Sequence, residues 1–196
     1  MVRHPFERLV SAFRDRIEDN SKYTTQAWVY VPRIFYITRP QLTKMQMFDN
    51  KNHHRLLIIP TFEEFITWLL TVPPTKYDVH WNRYFDHCGP CNINYNSIVK
   101  MDHFTQHDEQ VLMEDMGLGQ LNISLQHFQQ TLGGSTNFTV TCQYFKHLSK
   151  IQVHKLYQIY KEDFLIFQYE PDPYINCAQS SSTHIENNLA NVKNLI

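Results

Sequence analysis

The chain has 196 residues, with 18 Lys and Arg against 19 Asp and Glu and a formal net charge of −1. That length suits one domain with a sizeable core, and the balanced charge removes any bulk electrostatic case for a nucleic-acid partner. Aromatic residues make up 14% of the chain, which fits a packed interior or a groove where rings stack on sugars, and no apolar run reaches the ~18 residues that span a bilayer.

In chain order, Pro5 is preset for a first helical turn, and Phe6, Leu9, Val10 and Phe13 recur at helical spacing. Residues 5–17 are therefore predicted to be helical, entered across a strand-to-helix junction at Arg3. Residues 28–31 and 33–37 are β-rich but interrupted by Pro32 and Pro40, which predicts edge strands or loop. Thr61 and Glu64 form a capping box ahead of Phe62, Phe65, Ile66 and Leu69, a helix that Pro73-Pro74 closes. Residues 75–98 read as an irregular loop, and 102–116 as a helix ending near Gly117 and Gly119. Gly133-Gly134-Ser135 marks a turn. Ser149 and Gln152 form a second capping box, opening a helix to about Asp163, with residues 164–169 following as a short strand. From Pro171 polar residues dominate, so the expected organisation is a domain over 1–170 and a loose tail over 171–196.

Three groups of residues carry chemistry. Arg3 and Ser11 stand eight residues apart around the start of the first helix. A guanidinium fork and a hydroxyl converging there suit a phosphate monoester. Arg8 and Arg14 are read as solvated positions on the same helix. His80 and Trp81 read first as a structural histidine bonded to backbone and a core tryptophan. The second reading makes His80 a candidate general base, since its ordinary pKa lies near neutrality, with Trp81 offering a ring face to a sugar. Cys88, Cys91, Cys142 and Cys177 form an even set that allows three disulfide pairings. Zinc requires four ligands, and Cys88 and Cys91 lack a matching second pair, so no metal site is expected. Asn122-Ile123-Ser124 and Asn137-Phe138-Thr139 are glycosylation sequons, each a weak signal alone.

The run Arg3-His4-Pro5-Phe6-Glu7-Arg8-Leu9-Val10-Ser11-Ala12-Phe13-Arg14 closely resembles the 3′-phosphate-binding motif of Golgi carbohydrate sulfotransferases, above all the chondroitin/dermatan 4-O-sulfotransferase type. Three further blocks are similar to that family in the same order. They are Pro60 to Phe65; Tyr77 to Trp81 with Cys88-Gly89-Pro90-Cys91 and Asn94 to Ile98; and Leu156 to Phe164 with Phe167 and Tyr169. Asn96, Val99 and Asp102 depart from the family's Asp, Gly and Glu.

The resemblance implies an α/β fold, a parallel sheet flanked by helices in a P-loop nucleotide-kinase-like arrangement. It implies PAPS (3′-phosphoadenosine 5′-phosphosulfate) as sulfuryl donor with its 3′-phosphate on Arg3 and Ser11, no metal, and transfer to a hydroxyl of a chondroitin- or dermatan-type glycan in the Golgi lumen. It also implies that a first strand, the loop that wraps the 5′-phosphosulfate and a membrane anchor belong upstream of this sequence. Taken together with the resemblance, the two sequons and the four cysteines favour an oxidising, luminal setting. Two other readings stand beside the enzyme: a non-catalytic luminal remnant or glycan-binding module of the same fold, and a cytosolic nucleotide-binding protein.

Overall fold

A computed structural model of the chain describes residues 1–21, 24–49, 55–121 and 133–179. The first helix, α1 (Pro5–Phe13), forms as the sequence predicts, with Pro5 in its first turn and the His4 Nδ1 accepting the Phe6 N–H at 3.2 Å as a cap. Phe6, Leu9, Val10 and Phe13 each lie at 1% exposure or less, which makes α1 the centre of the core. Its last turn widens into a π-helical turn, Arg14–Glu18, closed by the Asp19 N–H on the Arg14 carbonyl.

Residues read as edge strands instead form α2 (Thr25–Thr38), with Pro32 inside it. Thr24 caps it by accepting the Ala27 N–H at 3.1 Å, and Val31, Ile34 and Phe35 at helical spacing are fully buried. Packing of that stripe outweighs the weak β preference of its side chains and the one ladder bond lost at Pro32.

A single turn, α3 (Lys44–Met47), leads towards α4 (Phe62–Leu69), where Thr61 and Glu64 make both halves of the predicted capping box. Glu64 also takes a two-bond fork from Arg39, at 2.5 and 2.9 Å, which ties the end of α2 to the start of α4. Burial alone would raise the Glu64 carboxyl, but the Arg39 fork and the Thr61 N–H hold it below the usual range.

The loop predicted over 75–98 is interrupted by a short α5 (Tyr84–Cys88), followed by α6 (Gln106–Asp115) and α7 (Phe138–Phe145). Helix α8 (Lys150–Ile166) starts at its predicted Ser149 cap and runs through the first half of the expected closing strand. Phe164 and Phe167 are both buried, three residues apart, so helical spacing suits them where alternation would expose one. Gln168, at φ 52°, then turns the chain.

Residues 171–179, read as the start of a polar tail, form α9 (Asp172–Ile175) and bury Tyr174, Ile175 and Ala178. The Cys142–Cys177 disulfide fastens this segment to α7. Residues 180–196 lie outside the described residues.

The expected parallel sheet is not found among the described residues, which pair only at isolated bridges. Two of these are parallel, Ser149 with Gln179 and Val2 with Lys100, the latter made by the Val2 N–H on the Val99 carbonyl at 2.7 Å and the Met101 N–H on the Val2 carbonyl at 2.8 Å. Extended backbone thus does enter α1, over the shortest possible length. No helix of the described residues is long and apolar enough to cross a membrane.

Candidate active site

Opposite its buried stripe, α1 presents Arg8, Ser11, Ala12 and, across the π turn, Asp15 and Arg16. With Arg3 ahead of the helix and Val79 and His80 from the loop between α4 and α5, these residues line one open cleft of ≈ 290 Å³. Arg3, Ser11 and His80, three candidates from separate stretches of sequence, therefore share one cavity. Ser11 sits one turn from Arg8 and one from Asp15, and the wider π turn carries Arg16 onto the same wall. Three guanidiniums and a hydroxyl against one carboxylate make a cleft suited to an anion.

Arg3 is oriented from below. Its Nε lies 3.5 Å from Glu7 Oε2, and Glu7 Oε1 accepts the Tyr174 hydroxyl at 2.8 Å. Burial raises the Glu7 carboxyl above its ordinary value, against the Tyr174 hydrogen bond and the Arg3 charge. His4 is sealed beneath this layer. Its Nδ1 is occupied by the Phe6 N–H, so its Nε2 carries the proton and donates to the Glu170 carbonyl at 3.2 Å. Desolvation lowers its pKa to about 4.

His80 is held by Asp78, two residues before it. Asp78 Oδ1 accepts the His80 backbone N–H at 3.0 Å and meets Nδ1 at 2.5 Å. Burial would raise the Asp78 carboxyl, but the two His80 hydrogen bonds together with Gln26 hold it below the usual range. An ionised carboxylate only accepts, so Nδ1 carries the ring proton and Nε2 is left as the basic nitrogen. Asp78 was not singled out from sequence. The available signal was its place two residues ahead of a histidine, where a carboxylate reaches forward to backbone and ring alike.

Trp81 takes the core role read for it, 1% exposed and packed among Tyr30, Phe65 and Trp68, and offers no face to a sugar. Other expectations change. Arg14 is not solvated, and Arg8 is half-buried. Arg14 is buried and donates to Thr136 Oγ1 at 2.7 Å and the Gly134 carbonyl at 3.2 Å, while Arg8 donates to loop carbonyls. Cys88 and Cys91 are free thiols here, at the half-buried and exposed end of α5. Among the described residues no cluster of His, Cys, Asp and Glu is arranged to hold a metal ion. Asn137 is exposed and caps α7 through its side-chain oxygen on the Val140 N–H at 3.0 Å; Asn122 lies outside the described residues.

Compared with known families, residues 1–170 match the sulfotransferase family. The chain belongs to that family. Its curated relatives include carbohydrate sulfotransferase 8 of Mus musculus, 31% identical over 169 residues, which are 86% of this chain and 38% of that protein. Carbohydrate sulfotransferase 11 of Mus musculus is 29% identical over 180 residues, 89% of this chain and 47% of its own length. Carbohydrate sulfotransferase 10 of Mus musculus is 29% identical over 189 residues, 90% and 48% respectively. The chain thus spans less than half the length of these relatives. No solved structure gives a significant match.

Proposed function

We propose that this chain carries the 3′-phosphate site and the general base of a PAPS-dependent carbohydrate sulfotransferase, a Golgi enzyme acting on a chondroitin- or dermatan-type glycan. The observation that carries the reading is the single cleft onto which Arg3, Ser11 and an Asp78-oriented His80 converge. Family membership and the carbohydrate sulfotransferase relatives support the reaction class. PAPS, when bound, supplies the activated sulfuryl group. Arg3 and Ser11 hold its 3′-phosphate by a charge-assisted and a neutral hydrogen bond. His80 Nε2 would take the proton of the acceptor hydroxyl as that oxygen bonds to sulfur and the sulfur–oxygen bond to the donor's 5′-phosphate breaks, with 3′-phosphoadenosine 5′-phosphate leaving, and Asp78 would stabilise the imidazolium formed.

Residues that wrap the 5′-phosphosulfate, and strands that extend the Val2–Lys100 pairing into a parallel sheet, are assigned in this reading to the length of the relatives that the chain does not span. Asn122 and Asn137 are proposed as glycan attachment sites of the luminal protein.

Calorimetric titration of the complete protein with 3′-phosphoadenosine 5′-phosphate tests the donor site. Arg3→Ala is expected to weaken binding by about 1.5–3 kcal/mol, the range for a charged hydrogen bond, and Ser11→Ala by about 0.5–1.5 kcal/mol. Equal binding of adenosine 5′-phosphate, which lacks the 3′-phosphate, would contradict the assignment.

A further inference from the structure

The loop that carries His80 has few hydrogen bonds of its own. The Trp81 and Asn82 N–H groups both return to the Asp78 carbonyl, at 3.0 and 2.8 Å, and that small turn leaves the carbonyls of residues 79, 81 and 82 to be satisfied from outside. Arg8 takes two of them. Its Nη2 donates to the Val79 carbonyl at 2.8 Å and its Nη1 to the Asn82 carbonyl, so one guanidinium grips the chain on both sides of His80. The same guanidinium lies 4.3 Å from the centre of the Tyr84 ring. The Tyr160 hydroxyl of α8 takes the Trp81 carbonyl at 2.5 Å. Just beyond, the buried Asp163 carboxylate accepts the Tyr84 and Phe85 N–H groups, each at 2.8 Å, and fixes the start of α5.

Arg8 is the member of this set that lies on α1. It stands one turn before Ser11 and lines the same cleft, so the helix with the donor hydroxyl also clamps the loop with the base. We propose that Arg8 is a positioning residue: it fixes His80 relative to the donor site without being a phosphate ligand itself. The proposal rests on the sulfotransferase reading for what His80 does, but not for how His80 is held. A planar fork matches two carbonyls flanking a turn, whereas an ammonium is a point donor on a flexible stem that cannot hold both in one geometry. With Lys at this position the charge in the cleft is kept, and the loop is free to shift.

Two measurements on the complete protein test this. In Arg8→Lys, kcat for PAPS-dependent sulfation is expected to fall roughly 10- to 100-fold, the cost of a small misplacement of a reacting group. The Kd for 3′-phosphoadenosine 5′-phosphate should change by no more than about threefold, because the charge remains. Independently, long-range ¹H–¹⁵N correlation spectra of His80, assigned by the loss of its signals in His80→Gln, should show the Nδ1–H tautomer in the parent and a mixture of tautomers in Arg8→Lys. A Kd that rises in step with the loss of kcat would make Arg8 a phosphate ligand and overturn the proposal, as would an unchanged kcat and tautomer. If the parent protein neither binds the nucleotide nor transfers sulfate, the sulfotransferase reading fails, and the tautomer comparison alone decides the role of Arg8. Loss of the fold in both Arg8→Lys and Arg8→Gln would assign Arg8 to folding and also overturn the proposal.

Discussion

Two histidines show how surroundings divide one side-chain type into different roles. His80 sits at the cleft with an ionised carboxylate on Nδ1, which leaves Nε2 as the ring nitrogen without a proton. His4 lies under the cleft floor with both ring nitrogens committed to backbone and four aromatic rings around it, and burial brings its pKa to about 4. Its folded value is lower than the 6.5 of an unperturbed histidine, so between these values the unfolded chain binds more protons. The stability His4 contributes is therefore present in full above pH 6.5 and is lost as pH falls towards 4, a loss of about 3 kcal/mol at its limit. Denaturant midpoints measured from pH 7.5 to 4.5 should fall along this course, and His4→Gln should flatten that part of the curve. From sequence, His80 is named as a candidate base and His4 is assigned no role. What separates them is long-range packing, His4 against Glu170 and Tyr174, which no local spacing reveals.

At the scale of elements, helix starts were the legible feature. The boxes at Thr61/Glu64 and Ser149/Gln152 are local hydrogen-bond patterns between residues three apart, and both form as read. Residues 28–37 resemble an edge strand in sequence because they combine β-branched and aromatic side chains with a proline, while the Val31, Ile34 and Phe35 stripe that decides the matter gains its weight from distant packing, chiefly on α4 and the π-helical turn. The end of α8 was misread for the same reason. Docking of residues 171–179 was also hidden, because it depends on one disulfide and on Tyr174 reaching Glu7. That disulfide closes a separation of 35 residues. Cys142→Ser should destabilise the protein by roughly 3–4 kcal/mol in the chain-entropy account. It should also weaken 3′-phosphoadenosine 5′-phosphate binding, since Tyr174 supports Glu7 and Glu7 supports Arg3. Unfolding curves and calorimetry on the one variant check both, and full nucleotide affinity in a destabilised Cys142→Ser protein would detach α9 from the site.

For the whole molecule, the family was readable from four ordered blocks of sequence, and the match over residues 1–170 agrees with it. The sheet rests on that resemblance and not on alternation in the chain, and among the described residues parallel pairing is confined to two isolated bridges, Val2 with Lys100 and Ser149 with Gln179. The functional logic is carried instead by α1, whose inner face builds the core while its outer face meets the His80 loop across the cleft. Central to this account is that one cleft binds the donor's 3′-phosphate and holds the base that activates the acceptor. The most direct measurement is transfer of labelled sulfate from PAPS to chondroitin or dermatan by the complete protein, compared between the parent and His80→Gln at matched occupancy of the donor site. The account predicts robust transfer by the parent, a loss of about 10²–10⁴-fold in kcat for His80→Gln, and unchanged affinity for 3′-phosphoadenosine 5′-phosphate. Transfer by His80→Gln at close to the parent rate would contradict it.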